Sequence, residues 1–266
     1  MTFVHLIGGA REAPEVDGAP RVAFARPVGA TPSEAHIALA RPQYQKRASS
    51  CLPQAAAFVR ESDVVQRIGR EVEVSIQYDY FGYRTLQGDW PDDVGSYPHR
   101  MQEWCEQHGS VPDARAPYND ATATTWRPGG TLAAHAANWT SQFERMPQAA
   151  DQIEAEVAAG RGVVVCHHVT DQMAGTGAGQ AGRTGLEVVT DWANFASLGG
   201  HGRALSAYDR PKALFGFINW WERWGIRCPW DDRHKDSFSW VPYEVVLHPK
   251  WAWDFRRLTR GLRVEV

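Results

Sequence analysis

Cys51 follows Ser49 and Ser50 and opens an Ala-rich run that continues through Phe58 and Val59. That pattern predicts a helix over residues 50–69, with Ser49 or Ser50 as its N-cap. Pro53 suits the first turn, where a missing N–H has no intrahelical partner to lose. A thiol there meets unpaired N–H groups and the positive end of the helix dipole, both of which favour thiolate and hence a nucleophile. The other role open to it is that of a small buried apolar residue. A nucleophile needs a base. His201 supplies one in Gly199-Gly200-His201-Gly202, 150 positions downstream, and Asn219 follows in Asn219-Trp220-Trp221.

The elements that must position these groups fall into two kinds. The first half reads as helices. The helix from Ser50 is followed by an extended piece running into a helical turn over residues 72–84, and by an amphipathic helix over residues 97–108 closed by Gly109. Residues 119–130 are polar and irregular and divide the chain. A helix over residues 146–160 precedes a second half that reads as strands: 162–168, 186–189, 203–208, 214–219 and 238–241. Between them, residues 170–184 read as a Gly-rich loop. Residues 1–40 are spaced by Pro14, Pro20, Pro27 and Pro32 and read as an extended arm. The expected division is therefore an arm (1–40), a helical lobe (41–128) and a β-rich lobe (129–266).

In order along the chain, these stretches resemble the papain-like (C1) cysteine peptidases in their bacterial and phage form. Gln45 stands six residues before Cys51, as a glutamine does in that family. Gly200-His201-Gly202 and Ala207-Tyr208-Asp209 resemble the histidine strand. Asn219-Trp220-Trp221 with Trp224-Gly225 resembles the Asn-Ser-Trp-Gly strand, one residue short in its Trp-to-Trp spacing, so that an ungapped count would put Ile218 at the orienting position. Met101-Gln-Glu-Trp104, Pro117-Tyr118 and Phe238-Ser-Trp240-Val-Pro242-Tyr243 fit the same frame, which spans residues 41–257. Papain-type enzymes place His and Asn about 130–150 residues after the cysteine.

The resemblance implies an α+β, papain-like two-lobed fold with the site in the cleft between a helical and an antiparallel β-rich lobe. It implies a peptide or protein substrate and no cofactor. Cys51 would be the nucleophile, His201 the base, Asn219 the residue that orients the imidazole, and Gln45 with the Cys51 N–H the oxyanion donors. Gly95 would offer backbone to an extended substrate. Ser50 would lie beside it, and Gly199 and Gly200 would border an open pocket. Two other functions stand beside peptidase: a papain-fold structural or binding component of a large assembly, reaching a partner through its N-terminal arm, and an amidase or transferase using the same dyad.

Composition excludes other classes. The 266 residues carry 28 Lys+Arg against 31 Asp+Glu without a basic block, so neither nucleic acid nor an anionic membrane surface is implied as a partner. No apolar run reaches a membrane span, and the N-terminus lacks the pattern of a secretory signal. Four cysteines without metal-like spacing are expected to be reduced, in a cytoplasm or carried in a viral particle. The adjacent His167 and His168 would point to opposite faces of a strand, which argues against their sharing a metal ion. No long helical pattern precedes Gln45, so the inhibitory prodomain of secreted relatives is expected to be missing.

Overall fold

The computed structural model describes residues 10–11, 31–174 and 179–263. Its centre is helix α1 (Cys51–Ile68), which is buried from Cys51 to Val64. Such all-round burial calls for small side chains, and Ala55, Ala56 and Ala57 provide them. Gly69 ends the helix in the left-handed conformation (φ 65°), its N–H donating to the Val65 carbonyl. Helix α2 (Ile76–Gln87) starts at Ser75, whose Oγ accepts the Tyr78 N–H at 3.0 Å. Helix α3 (Pro98–Gln107) starts on a proline and packs on α2, with the Trp104 indole lying where a Cβ on Gly82 would stand. Arg60 on α1 and Asp79 on α2 form an ion pair with both side chains 0% exposed. A charge so far from water is tolerable only when paired, so this pair fixes how the two helices meet.

Strand β1 (Glu34–His36) precedes these helices, and the short helix α4 (Leu132–Ala136) follows them. Then come β2 (Gln142–Arg145), α5 (Ala150–Ala158), β3 (Val163–Thr170), α6 (Asp171–Ala174), α7 (Gly179–Thr184), β4 (Ser197–Asp209), β5 (Leu214–Ile218), β6 (Phe238–Pro242), α8 (Tyr243–Val246) and β7 (Ala252–Arg260). The strands form one antiparallel sheet in the order β2-β7-β3-β4-β5-β6, with β1 also pairing with β4. Its register sets Cys166 opposite Gly202 and His167 opposite His201. Gly202 brings the sheet onto α1: a Cβ there would stand 3.2 Å from the Leu52 Cα.

Several local expectations are corrected. The stretch expected to be a loop over residues 170–184 contains α6 and α7, with residues 175–178 outside the described set. Residues 186–189 form no strand. They make one bridge, Leu186 to Trp240, and the Glu187 side chain turns inward to Arg203. The helix expected from residue 146 begins at Ala150, since the Met146 N–H is taken by the Phe255 carbonyl. Among the described residues no helix is long and apolar enough to cross a membrane.

Candidate active site

Cys51 is the first residue of α1, and its Sγ accepts the backbone N–H of Gly202 at 3.2 Å. The thiol therefore lies against the residue that follows His201. Ser50 is the N-cap, but its side chain makes no capping bond. Instead the Tyr118 hydroxyl donates to the Gln45 carbonyl at 2.8 Å and stands 3.1 Å from Ser50 Oγ, joining both ends of the loop that leads into the helix. Asp120 and Asp93 hold the same loop by accepting the N–H groups of Arg47, Ala48 and Ser49.

His201 Nε2 lies 2.8 Å from Asn219 Oδ1. That oxygen also accepts the Trp220 N–H at 2.7 Å, which identifies it as the acceptor, so Nε2 of the imidazole carries the proton. In the neutral ring Nδ1 is then the basic nitrogen, and it is buried with no hydrogen-bond partner among the described residues. Of the two residues left open by the spacing, Asn219 meets the imidazole, while Ile218 pairs with Ala204 in the sheet. Trp221 stacks on His201 with ring centroids 3.9 Å apart and planes 20° apart. Trp220 anchors the same segment to β4 by donating from Nε1 to the Gly202 carbonyl at 2.7 Å. Neither indole's part was assigned from the sequence; the Asn-x-Trp spacing was the available signal.

Gln45 is 1% exposed. Its Nε2 donates to the Ala48 carbonyl at 2.8 Å, and its backbone N–H donates to the Trp220 carbonyl at 2.9 Å. The glutamine thus ties the loop before Cys51 to the segment after β5 that carries Asn219 and Trp220, with one N–H of its amide engaged in that loop.

Gly95 has φ 79°, and its carbonyl accepts from Gln87. The neighbour, Ser96, is the residue that presents backbone. Its carbonyl accepts the Arg11 N–H at 3.1 Å, while the Gly200 carbonyl accepts the Ala10 N–H at 3.3 Å. Gly199 pairs with Val169 in the sheet. Ala10 and Arg11 therefore bridge the helical and β-rich halves beside His201. Arg11 is further held by Asp89 at 2.9 Å and lies over the Tyr97 ring. The space expected to be open at Gly200 is filled: a Cβ there would stand 1.8 Å from the Ala10 carbonyl oxygen.

Burial sets the electrostatics. Cys51 is 0% exposed and His201 1%. Burial pushes the Cys51 thiol up to about 12, against the smaller opposing effect of the Gly202 N–H. Burial and then the Arg203 charge push His201 down to about 3, although its bond to Asn219 acts the other way. The thiolate expected from the helix terminus is therefore not the favoured form here, because loss of water outweighs the dipole. Both groups are neutral in this conformation. All four cysteines are free and buried, and no cluster able to hold a metal ion occurs among the described residues. His167 is buried, and His168 bonds to Ser197 at 2.7 Å.

No protein-family model matches the sequence, and no curated protein matches it. Solved structures match the fold. Xylellain, a cysteine protease from Xylella fastidiosa, is 19% identical with a TM-score of 0.81, over 98% of this chain and 97% of that one. Digestive procathepsin L 3 of Tenebrio molitor larval midgut is 14% identical with a TM-score of 0.66, over 96% and 76%. A cysteine protease of Carica candamarcensis is 13% identical with a TM-score of 0.58, over 86% and 99%. The chain has the fold of papain-like cysteine proteases, α+β and two-lobed.

Proposed function

We propose that the chain is a cysteine endopeptidase of the papain-like class, held closed in this conformation by Ala10 and Arg11. One observation carries the reading: the Cys51 thiol lies against Gly202, next to an imidazole whose Nε2 proton is held by Asn219 and whose Nδ1 has no hydrogen-bond partner among the described residues. In the reaction Nδ1 takes the thiol proton, Sγ attacks the peptide carbonyl, and the imidazolium returns the proton to the leaving amine. Water then releases the acyl group. The Cys51 N–H at the helix start and the Gln45 amide are the oxyanion donors; such donors are worth about 2.7–4 kcal/mol each. Gln45 must turn one N–H from the Ala48 carbonyl or use its second. The carbonyls of Ser96 and Gly200, which now accept from Arg11 and Ala10, would accept from an extended substrate as from an added strand.

Displacing Ala10 and Arg11 returns water to the pair, and the burial that keeps it neutral is relieved. The test compares the full chain with a variant lacking residues 1–30, and with Cys51→Ala in both, for hydrolysis of a fluorogenic peptide library and for labelling by an epoxide inhibitor. Hydrolysis that depends on Cys51 and rises on deletion supports the reading; no Cys51 adduct in either form ends it. The closed, neutral pair favours one other reading, a papain-fold binding component without turnover, and the same experiment separates the two.

A further inference from the structure

We infer that Arg203 and Glu187 form a buried positioning pair that locks His167 as a neutral hydrogen-bond acceptor, leaving His201 as the one imidazole of the contacting pair able to take a proton. The inference rests on the proposed role of His201. Arg203 Nε donates to His167 Nε2 at 2.8 Å, and Arg203 Nη1 donates to Glu187 Oε1 at 2.6 Å. Both side chains of the ion pair are 1% exposed. Glu187 Oε1 also accepts from Ser239 Oγ at 2.5 Å and from Trp224 Nε1 at 3.3 Å.

A guanidinium can only donate. His167 Nε2 must therefore offer a lone pair, and the ring proton must sit on Nδ1, which lies 2.9 Å from the His168 carbonyl. Every hydrogen-bonding position of the ring is thus assigned. Stacking on Trp251 with centroids 4.3 Å apart holds its plane. Protonating His167 would set a donor against a donor and a cation beside a cation. Burial, then Arg203, then His201 all hold it well below the ordinary imidazole range.

His167 and His201 meet edge to face, with centroids 5.7 Å apart and planes 85° apart. Two imidazoles at that distance titrate as a coupled pair unless one is locked. The charged or titratable groups facing them are Cys51 from α1, His168 from β3, Arg203 from β4 and Glu187 from the segment before β4. Arg203 also opposes the His201 imidazolium, and the adjacent Glu187 carboxylate offsets part of that charge. A second connection runs from Glu187 through Trp224, which packs edge-on against Trp221 at 4.8 Å, to the indole stacked on His201.

The experiment is ¹⁵N NMR of the imidazoles between pH 4 and 8 in the full-length protein and in the double variant Arg203→Met/Glu187→Leu, with the pH profile of Cys51 alkylation by iodoacetamide measured in both. Joint replacement is chosen because removing both charges of a buried pair is far better tolerated than removing one. The wild type is expected to hold His167 as a single neutral tautomer with the proton on Nδ1 throughout. In the double variant the His167 midpoint rises, and the Cys51 profile gains a second inflection where His167 titrates. His167 unchanged in the double variant overturns the inference. So does a wild-type His167 that titrates anywhere between pH 4 and 8 or carries its proton on Nε2, a result that holds even if the variant fails to fold. A wild-type Cys51 with an ordinary thiol profile, unaffected by His201→Ala while His167 responds as expected, would sink the peptidase reading and leave the lock standing.

Discussion

The Trp221 indole covers one face of the His201 imidazole, with centroids 3.9 Å apart and planes 20° apart, two residues after the asparagine that holds the ring's proton. One short stretch after β5 thus supplies both the hydrogen bond that sets the tautomer and the apolar cover that keeps water from it. Trp221→Ala removes the cover and leaves a cavity, at a cost of about 3–5 kcal/mol. Trp221→Phe keeps an aromatic face and should retain most of that stability. Urea unfolding of the two variants and ¹⁵N shifts of His201 check this. Equal destabilisation by both would mean that the stack contributes nothing of its own.

Removing Ala10 and Arg11 from Gly200 and Ser96 should expose Cys51. Ala10 and Arg11 make two backbone hydrogen bonds across the site and one half-exposed ion pair. At about 0.5–1.5 kcal/mol per hydrogen bond and about 0–1 for the exposed pair, closure is worth roughly 1–4 kcal/mol. Iodoacetamide labelling of Cys51 is therefore expected to rise at least fivefold when residues 1–30 are deleted. An unchanged rate would show that these residues do not gate the thiol.

Gly200→Ala tests the same contact without shortening the chain. The new Cβ would stand 1.8 Å from the Ala10 carbonyl oxygen, a distance the backbone cannot accept, so the segment must leave. Labelling of Cys51 in Gly200→Ala should match that of the deletion variant. Wild-type labelling in a folded Gly200→Ala protein would contradict the closed arrangement.

The neutral pair has a pH signature. Folded His201 binds its proton only near pH 3, against 6.5 in the unfolded chain. The unfolded state therefore holds more protons between these values, and stability falls as pH drops through that window. Folded Cys51 keeps its proton up to about 12, against an ordinary 9.0, so its contribution is lost as pH rises through the alkaline window. His201→Gln should lose less stability than the wild type between pH 6.5 and 4, by up to about 1.4 kcal/mol per pH unit. Urea unfolding across that range measures it, and a steeper acid loss in the variant would reverse the assignment.

The Arg60–Asp79 pair offers a test of the fold. Asp79→Ala strands a buried guanidinium and should cost about 3–5 kcal/mol, whereas Arg60→Met/Asp79→Leu should be nearly neutral. Chemical denaturation of both variants gives the comparison.

Much of this was legible in the chain. The serine pair and Ala-rich run marked the start of α1 at Cys51, Gly69 marked its end, and the valines of β3 and the apolar run of β5 read as buried strands, because propensity, capping and periodicity act over a few residues. The types and order of Cys51, His201 and Asn219 were readable for the same reason: chemistry is carried by side-chain identity. Three things were not. Whether Asn219 or Ile218 met the imidazole depended on the register of β5 against β4, which backbone pairing sets and one-residue spacing left open. The state of the thiol depended on burial, whose effect outweighs the thiolate-favouring backbone N–H groups at the helix start. The closing contact joins Ala10 to Gly200 and Arg11 to Ser96, and the His167–Arg203–Glu187 network joins β3, β4 and the segment between them. Contacts between residues so distant in sequence leave no local pattern, because only the packed lobes bring those groups within hydrogen-bond reach.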